Sequence, residues 1–232
     1  TENNGTDASP DLTFTDSDGD PLAQNGWNLI ANPFAAPLEW DGIEGTANNV
    51  DATVYVYDAE MGMYLTYQAD TTPTNDASRF IAPFQAFFVK ANGSSPNLTI
   101  SSSEKAIGED PALQQTLPQA PSVTLALQSD DESWTETTTL RFRDDAQAGK
   151  DRYDAYQLSP FAASYALVAS RMDGTETLFD IQNLPRPEAE PTAVDLDLDV
   201  NRTGTYRLSA DHFTALPDDW QVILEDVSTG DQ

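Results

Sequence analysis

The run TTTLRFR at 137–143 alternates apolar Leu140 and Phe142 with Arg141 and Arg143. A period of two belongs to a strand with one face on a core and the other in water. Runs rich in Val, Thr, Tyr and Phe recur along the chain at 53–58, 63–68, 85–91, 97–102, 122–128, 165–170, 203–210 and 220–226. Such residues suit a pleated, half-buried surface. No segment holds a helical period for three turns, and the best helical stretch is GKDRYDAYQL at 149–158. Strands joined by turns without intervening helices predict an all-β chain of two packed β-sandwich or jelly-roll-like units with little helix.

The chain has 232 residues, enough for one large β domain or two small ones. Residues 1–11 are polar and read as a loose N-terminal segment unless Leu12 and Phe14 pin them to a sheet edge. The first unit is expected over 12–105 and the second over 120–232. Between them, 106–119 lacks β pattern, carries Pro111 and Pro118, and reads as a linker or crossover. Within the first unit, the short Gly-bearing DAEMGM at 58–63 predicts a hairpin between 53–58 and 63–68.

Eleven Lys and Arg stand against 39 Asp and Glu, a formal charge of −28. So acidic a chain repels phosphate backbones and anionic lipid, which argues against nucleic-acid and membrane-surface partners. The acids are dispersed, as in SDDES, RDDAQ, DLDLD and PDD. Dispersed acidity on a foldable chain implies adaptation to high salt, where counterions screen self-repulsion. There is no cysteine, hence no disulfide and no thiolate metal site. No stretch approaches a membrane span, no signal peptide is evident, and a start at Thr1 reads as a processed or excised piece.

Asp16, Asp18 and Asp20 are candidate calcium ligands, since alternate carboxylates on a turn can wrap one hard cation. Pro21 stands where the EF-hand loop wants glycine and Trp27 where it wants a bidentate acid, so a solvated Asp-Gly turn is the commoner reading. The single histidine, His212, has Asp211 beside it but no Gly-x-Ser-x-Gly elbow in the chain. No pair among the many acids is singled out for glycoside hydrolysis. No catalytic residue and no cofactor other than calcium is therefore expected. Trp27 and Trp220 head apolar runs and read as core, whereas Trp40 in PLEWDG and Trp134 in DESWTE have polar neighbours and are the candidate glycan contacts. Glycosylation acceptor patterns occur at Asn4, Asn92, Asn97 and Asn201, and DTT offers Thr71 for O-glycosylation.

A set of phrases carries a family resemblance. GWNLIANPFAAPLEWDG at 26–42, VYVYDAEMGMYLTY at 54–67 and IAPFQAFFVKA at 81–91 are followed by LRFRDDAQAGKDRYDAYQL at 140–158, LFDIQNLP at 178–185, GTYRLSA at 204–210 and VILEDVSTG at 222–230. In this order they resemble a family of bacterial extracellular β-rich modules found in large surface proteins just before a C-terminal type IX secretion sorting domain. The likeness spans about 26–230, with the module beginning near Asn25 and Gly26. Phe34-Ala35 stands where the family usually has Tyr-Pro, and Gln157 where it has lysine. The family normally adds one more strand after the final phrase. Pro33 has no N–H to donate and biases Asn32 to extended backbone, a clean stop for the strand before it. Gly26 allows an unusual backbone angle or a close approach, and Pro83 marks the start of another strand.

The resemblance implies secretion and placement at the cell surface, and no activity. The expectation is a non-enzymatic extracellular structural or adhesion module, partnered by other domains of a larger parent protein. Two rivals are a carbohydrate-binding module with exposed aromatics, and a filament or surface-layer subunit that assembles with copies of itself through edge strands.

Overall fold

The computed structural model describes residues 6–15, 25–71, 77–106, 120–131, 134–187 and 191–227. The first sheet has four antiparallel strands: β1 (Trp27–Ala31), β3 (Val50–Asp58), β4 (Met63–Gln68) and β6 (Ala86–Ala91), in the order β1-β6-β3-β4. β3 and β4 form the expected hairpin, pairing Asp58 with Met63 at its closed end. A two-stranded ribbon of β2 (Leu38–Glu39) and β5 (Phe80–Ile81) and the one-turn helix α1 (Trp40–Glu44) cover one face of this sheet. That face carries Val50, Ala52, Val54, Phe87 and Val89, packed with Leu38, Trp40, Ile43 and Ile81.

The second sheet curls. Its strands are β7 (Ser122–Ser129), β8 (Thr135–Arg143), β9 (Ala155–Tyr156), β10 (Ala166–Arg171), β11 (Leu178–Pro185), β12 (Asp195–Val200) and β13 (Tyr206–Thr214). The order is β12-β10-β11-β8-β7-β13, with β9 paired to β11. β8 and β11 run parallel; the other paired strands are antiparallel. The curl brings Ala166 and Val168 of β10 against Leu127 of β7. Val123, Leu125, Leu140, Phe142 and Leu184 form a neighbouring core. The molecule is thus all-β and sandwich-like. Among the described residues, no helix is long and apolar enough to cross a membrane.

The strand punctuation has visible causes. Gly26 sits at φ +82°, and a Cβ there would lie 2.2 Å from the carbonyl oxygen of Ala91, so both of glycine's freedoms are in use. Beyond β1, buried Asn32 donates through Nδ2 to the carbonyls of Ala36 and Ala82 and accepts the Phe34 N–H through Oδ1. The Asn-Pro pair therefore ends the strand and also stitches the following turn to the β5–β6 connection. Pro83 lies in a turn and the strand starts three residues later, at Ala86.

Other expectations need correction. Residues 97–102 form only isolated bridges, Asn97 to Asn48 and Ile100 to Ala8. Side chains take the ladder's place there: the Thr99 N–H donates to Thr46 Oγ1 and the Ser102 N–H to Asp7 Oδ1. The same contacts tie Asp7 and Ala8 down, so the described part of the N-terminal segment is held rather than loose. The stretch 149–158 is a loop ending in β9 rather than a helix. Asp151 and Asp154 carboxylates accept the N–H groups of Gln147, Tyr153 and Asp151, turning the backbone out of helical register. Residues 220–226 do not form a strand. Trp220 packs edge-on against Phe142 at 5.1 Å, and Val222, Ile223 and Leu224 beyond it are exposed. Most of the expected linker, 107–119, lies outside the described residues.

Candidate functional site

The face of the first sheet opposite its apolar core is polar and aromatic. Alternation along β3 puts Asp51, Thr53 and Tyr55 there, and each is fully buried. β4 adds Thr66 and Gln68, β6 adds Lys90, and β1 adds Trp27. The face is dry because the second half of the chain lies on it. Tyr55 packs with Ala155 and Ile181, and its hydroxyl accepts the Tyr156 N–H at 2.8 Å. Arg141 Nη1 donates to Gln68 Oε1, and Asn183 Nδ2 reaches the same oxygen at 3.3 Å. The Ala52 N–H donates to the carbonyl of Arg152. Arg141 belonged to the expected wet face of β8; it is 6 % exposed because this seam covers it.

Ionisable groups cluster along the seam. Lys150 Nζ lies 2.7 Å from Asp51 Oδ2, and Asn92 Nδ2 donates to Asp51 Oδ1 at 2.8 Å. Lys90 donates to the Asn25 carbonyl and stands 5.0 Å from the Tyr156 ring centroid and 5.3 Å from that of Trp27. Burial, partly opposed by the charge of Asp51, draws the Lys90 ammonium down to about 8. Burial pushes the Asp51 carboxyl up against the opposing pull of Lys150. Asp154 accepts the Asn183 and Asp151 N–H groups, yet desolvation holds its carboxyl up at about 7. Asp180 is raised to about 6 by burial, with Thr66 and Arg141 acting the other way.

A pH dependence follows. Asp154 and Asp180 bind their protons more tightly in the folded chain than in the unfolded one. Their contribution to stability is therefore full below the ordinary carboxylate range and is lost as pH rises through about 6 and about 7. The expected result is a urea midpoint higher at about pH 5 than at about pH 8, by a few kcal/mol of unfolding free energy. A midpoint that rises over this interval would contradict the assignment.

The expected functional residues are dispersed. Asp16, Asp18 and Asp20, the calcium candidates, lie outside the described residues, as does Asn4. No group of three or more metal-ligating side chains occurs among the described residues. Trp40 is no glycan contact: it is completely buried, its indole N–H donates to the Ala52 carbonyl at 3.0 Å, and its ring meets Phe87. His212 is exposed on β13. Asn92 spends its amide on Asp51, and Asn201 accepts the Tyr165 N–H and donates to the Ala163 carbonyl. Asn97 is exposed, and the Thr71 hydroxyl donates to the Gln68 carbonyl.

Trp134 is differently placed. It is half-buried, its indole N–H donates to the Ala166 carbonyl at 2.8 Å, and its ring lines a cleft of about 160 Å³. Tyr165, Tyr206, Asp130, Asp131 and Arg202 also line it. Arg202 pairs with Asp131 at 3.1 Å, and the Tyr206 hydroxyl donates to the Arg202 carbonyl. No family model, no curated protein and no solved structure matches this chain.

Proposed function

We propose that this chain is a non-enzymatic structural or adhesion module of a secreted cell-surface protein, built for a saline environment. The observation that carries the reading is the buried seam, which welds two sheets from separate halves of the chain into one stiff body. A rigid body suits a spacer that presents neighbouring domains of a larger parent. The resemblance to modules of type IX-exported surface proteins supports the same placement, and the dispersed charge of −28 supports the salt adaptation. Calorimetry across sodium chloride concentrations tests it. The expected result is a single melting transition for both halves, with a melting temperature that climbs as salt screens the acids. Two separate transitions, or a melting temperature indifferent to salt, would sink the proposal.

A second reading rests on the cleft. Trp134, Tyr165 and Tyr206 gather three rings beside the carboxylates of Asp130 and Asp131, a combination that suits one sugar ring by stacking and hydrogen bonds. Glycan-array binding abolished by Trp134→Ala would favour it over the purely structural role, and a silent array would count against it.

A further inference from the structure

Asp51 stands between an amine and an amide. Its Oδ2 accepts from Lys150 Nζ at 2.7 Å and its Oδ1 from Asn92 Nδ2 at 2.8 Å. The lysine head and the aspartate are almost wholly out of water, with side-chain exposures of 8 % and 0 %. Tyr156 forms a wall, its ring centroid 5.4 Å from Lys150 Nζ, and Tyr55 is buried beside it. The three residues come from three places: β3, the residue just after β6, and the loop before β9. That loop is held in position by the Ala52 N–H on the Arg152 carbonyl and by the ion pair of Arg152 with Glu44.

From this arrangement we infer that Lys150 and Asn92 join in an intramolecular isopeptide bond, with Asp51 as the proton shuttle. The Asp51 carboxylate takes a proton from the Lys150 ammonium, and the freed Nζ lone pair forms a bond to Asn92 Cγ. Asp51 then returns that proton to Asn92 Nδ2, and a second proton from Nζ of the tetrahedral adduct follows by the same route. The Cγ–Nδ2 bond breaks and the nitrogen leaves as ammonium, so that the lysine keeps the single N–H of a secondary amide. Atoms and charge balance without oxidant, metal or co-reactant. The chemistry needs a desolvated amine, a base beside it and an acid aimed at the leaving nitrogen. One buried carboxylate serves both proton transfers because its two oxygens face the two nitrogens. Burial also raises the Asp51 carboxyl, making it a better proton carrier. Lys90 is not the nucleophile, since its ammonium is bonded to the Asn25 carbonyl. The product would be a covalent clamp between the halves in a chain that has no cysteine to supply one.

The inference does not depend on extracellular placement, and its test reads covalent structure alone. Intact mass under denaturing conditions should show the folded wild-type chain lighter than its sequence by one ammonia. Tryptic mapping should give a branched peptide joining the segments that hold Asn92 and Lys150. Asn92 precedes Gly93, so cyclisation onto the local backbone would release the same mass. Lys150→Arg separates the two, because it keeps a cation on Asp51 yet cannot form the link. The expected result is full mass in Lys150→Arg and in Asn92→Ala. Full mass and linear peptides in the wild type would overturn the inference, and that reading does not depend on any variant folding. Ammonia loss that persists in Lys150→Arg would overturn it too, as would loss of a water with Lys150 linked to Asp51.

Discussion

Replacing Trp40 by alanine should lower unfolding stability by about 4 kcal/mol, the usual loss for a large aromatic removed from a tight core. The side chain is fully buried between α1 and the first sheet, touches Phe87, and satisfies the Ala52 carbonyl with its indole N–H. The cost therefore combines lost apolar transfer, a cavity and an orphaned acceptor. Against a typical total of roughly 5–15 kcal/mol, the variant is close to unfolding at ordinary temperature. Urea denaturation should show a much lower midpoint with little change of slope. A midpoint within experimental scatter of the wild type would mean that Trp40 is exposed, the situation required of a glycan contact.

The other large effect belongs to the seam. Arg141→Ala should cost about 3–5 kcal/mol, the range found when one member of a buried polar or ionic set is removed. The guanidinium is almost wholly buried and its own ionisation is drawn down to about 10 by that burial, so it is held only because partners surround it. Truncation strips Gln68 Oε1 of its charged donor and takes from Asp180 the positive charge that opposes its burial. Arg141→Met combined with Gln68→Leu replaces both groups by apolar ones and should recover much of the loss. Equal stability of Arg141→Ala and wild type in thermal melts would show that the seam does not weld the halves.

Much of the architecture was legible in the chain. Alternation located β3, β4, β6, β7, β8 and β10, because each strand has at least one face whose apolar residues meet a core. Gly26 and Asn32-Pro33 announced the start and end of β1 through local backbone chemistry, and tertiary contacts with Ala91 and Ala82 reinforce both positions. What alternation could not show was the fate of the other face. Asp51, Gln68 and Arg141 look solvated in a strand pattern, and only long-range packing turns them into a buried network. Trp40 was misread for a related reason. Its acidic neighbours Glu39 and Asp41 suggested a loop, while the spacing to Ile43, three residues on, lets one turn of helix direct both apolar groups inward. The run at 220–226 carried strand composition without a strand, since composition cannot supply a neighbour to pair with. Trp134, expected from its polar neighbours as a glycan contact, is half-buried and lines the cleft, a position its neighbours in the sequence do not specify.

The seam also bears on the order in which the chain is made. Its bonds join residues 73, 101 and 115 positions apart, as Gln68 to Arg141, Tyr55 to Tyr156 and Gln68 to Asn183. During synthesis the first sheet can therefore close its apolar core long before the strands that cover its other face leave the ribosome. On that face Asp51, Thr53, Thr66, Gln68 and Lys90 stand among Trp27 and Tyr55, and water tolerates the mixture better during that wait than it would a wholly apolar face. The polar groups of the joint thus lower the cost of leaving that face uncovered until the second half arrives.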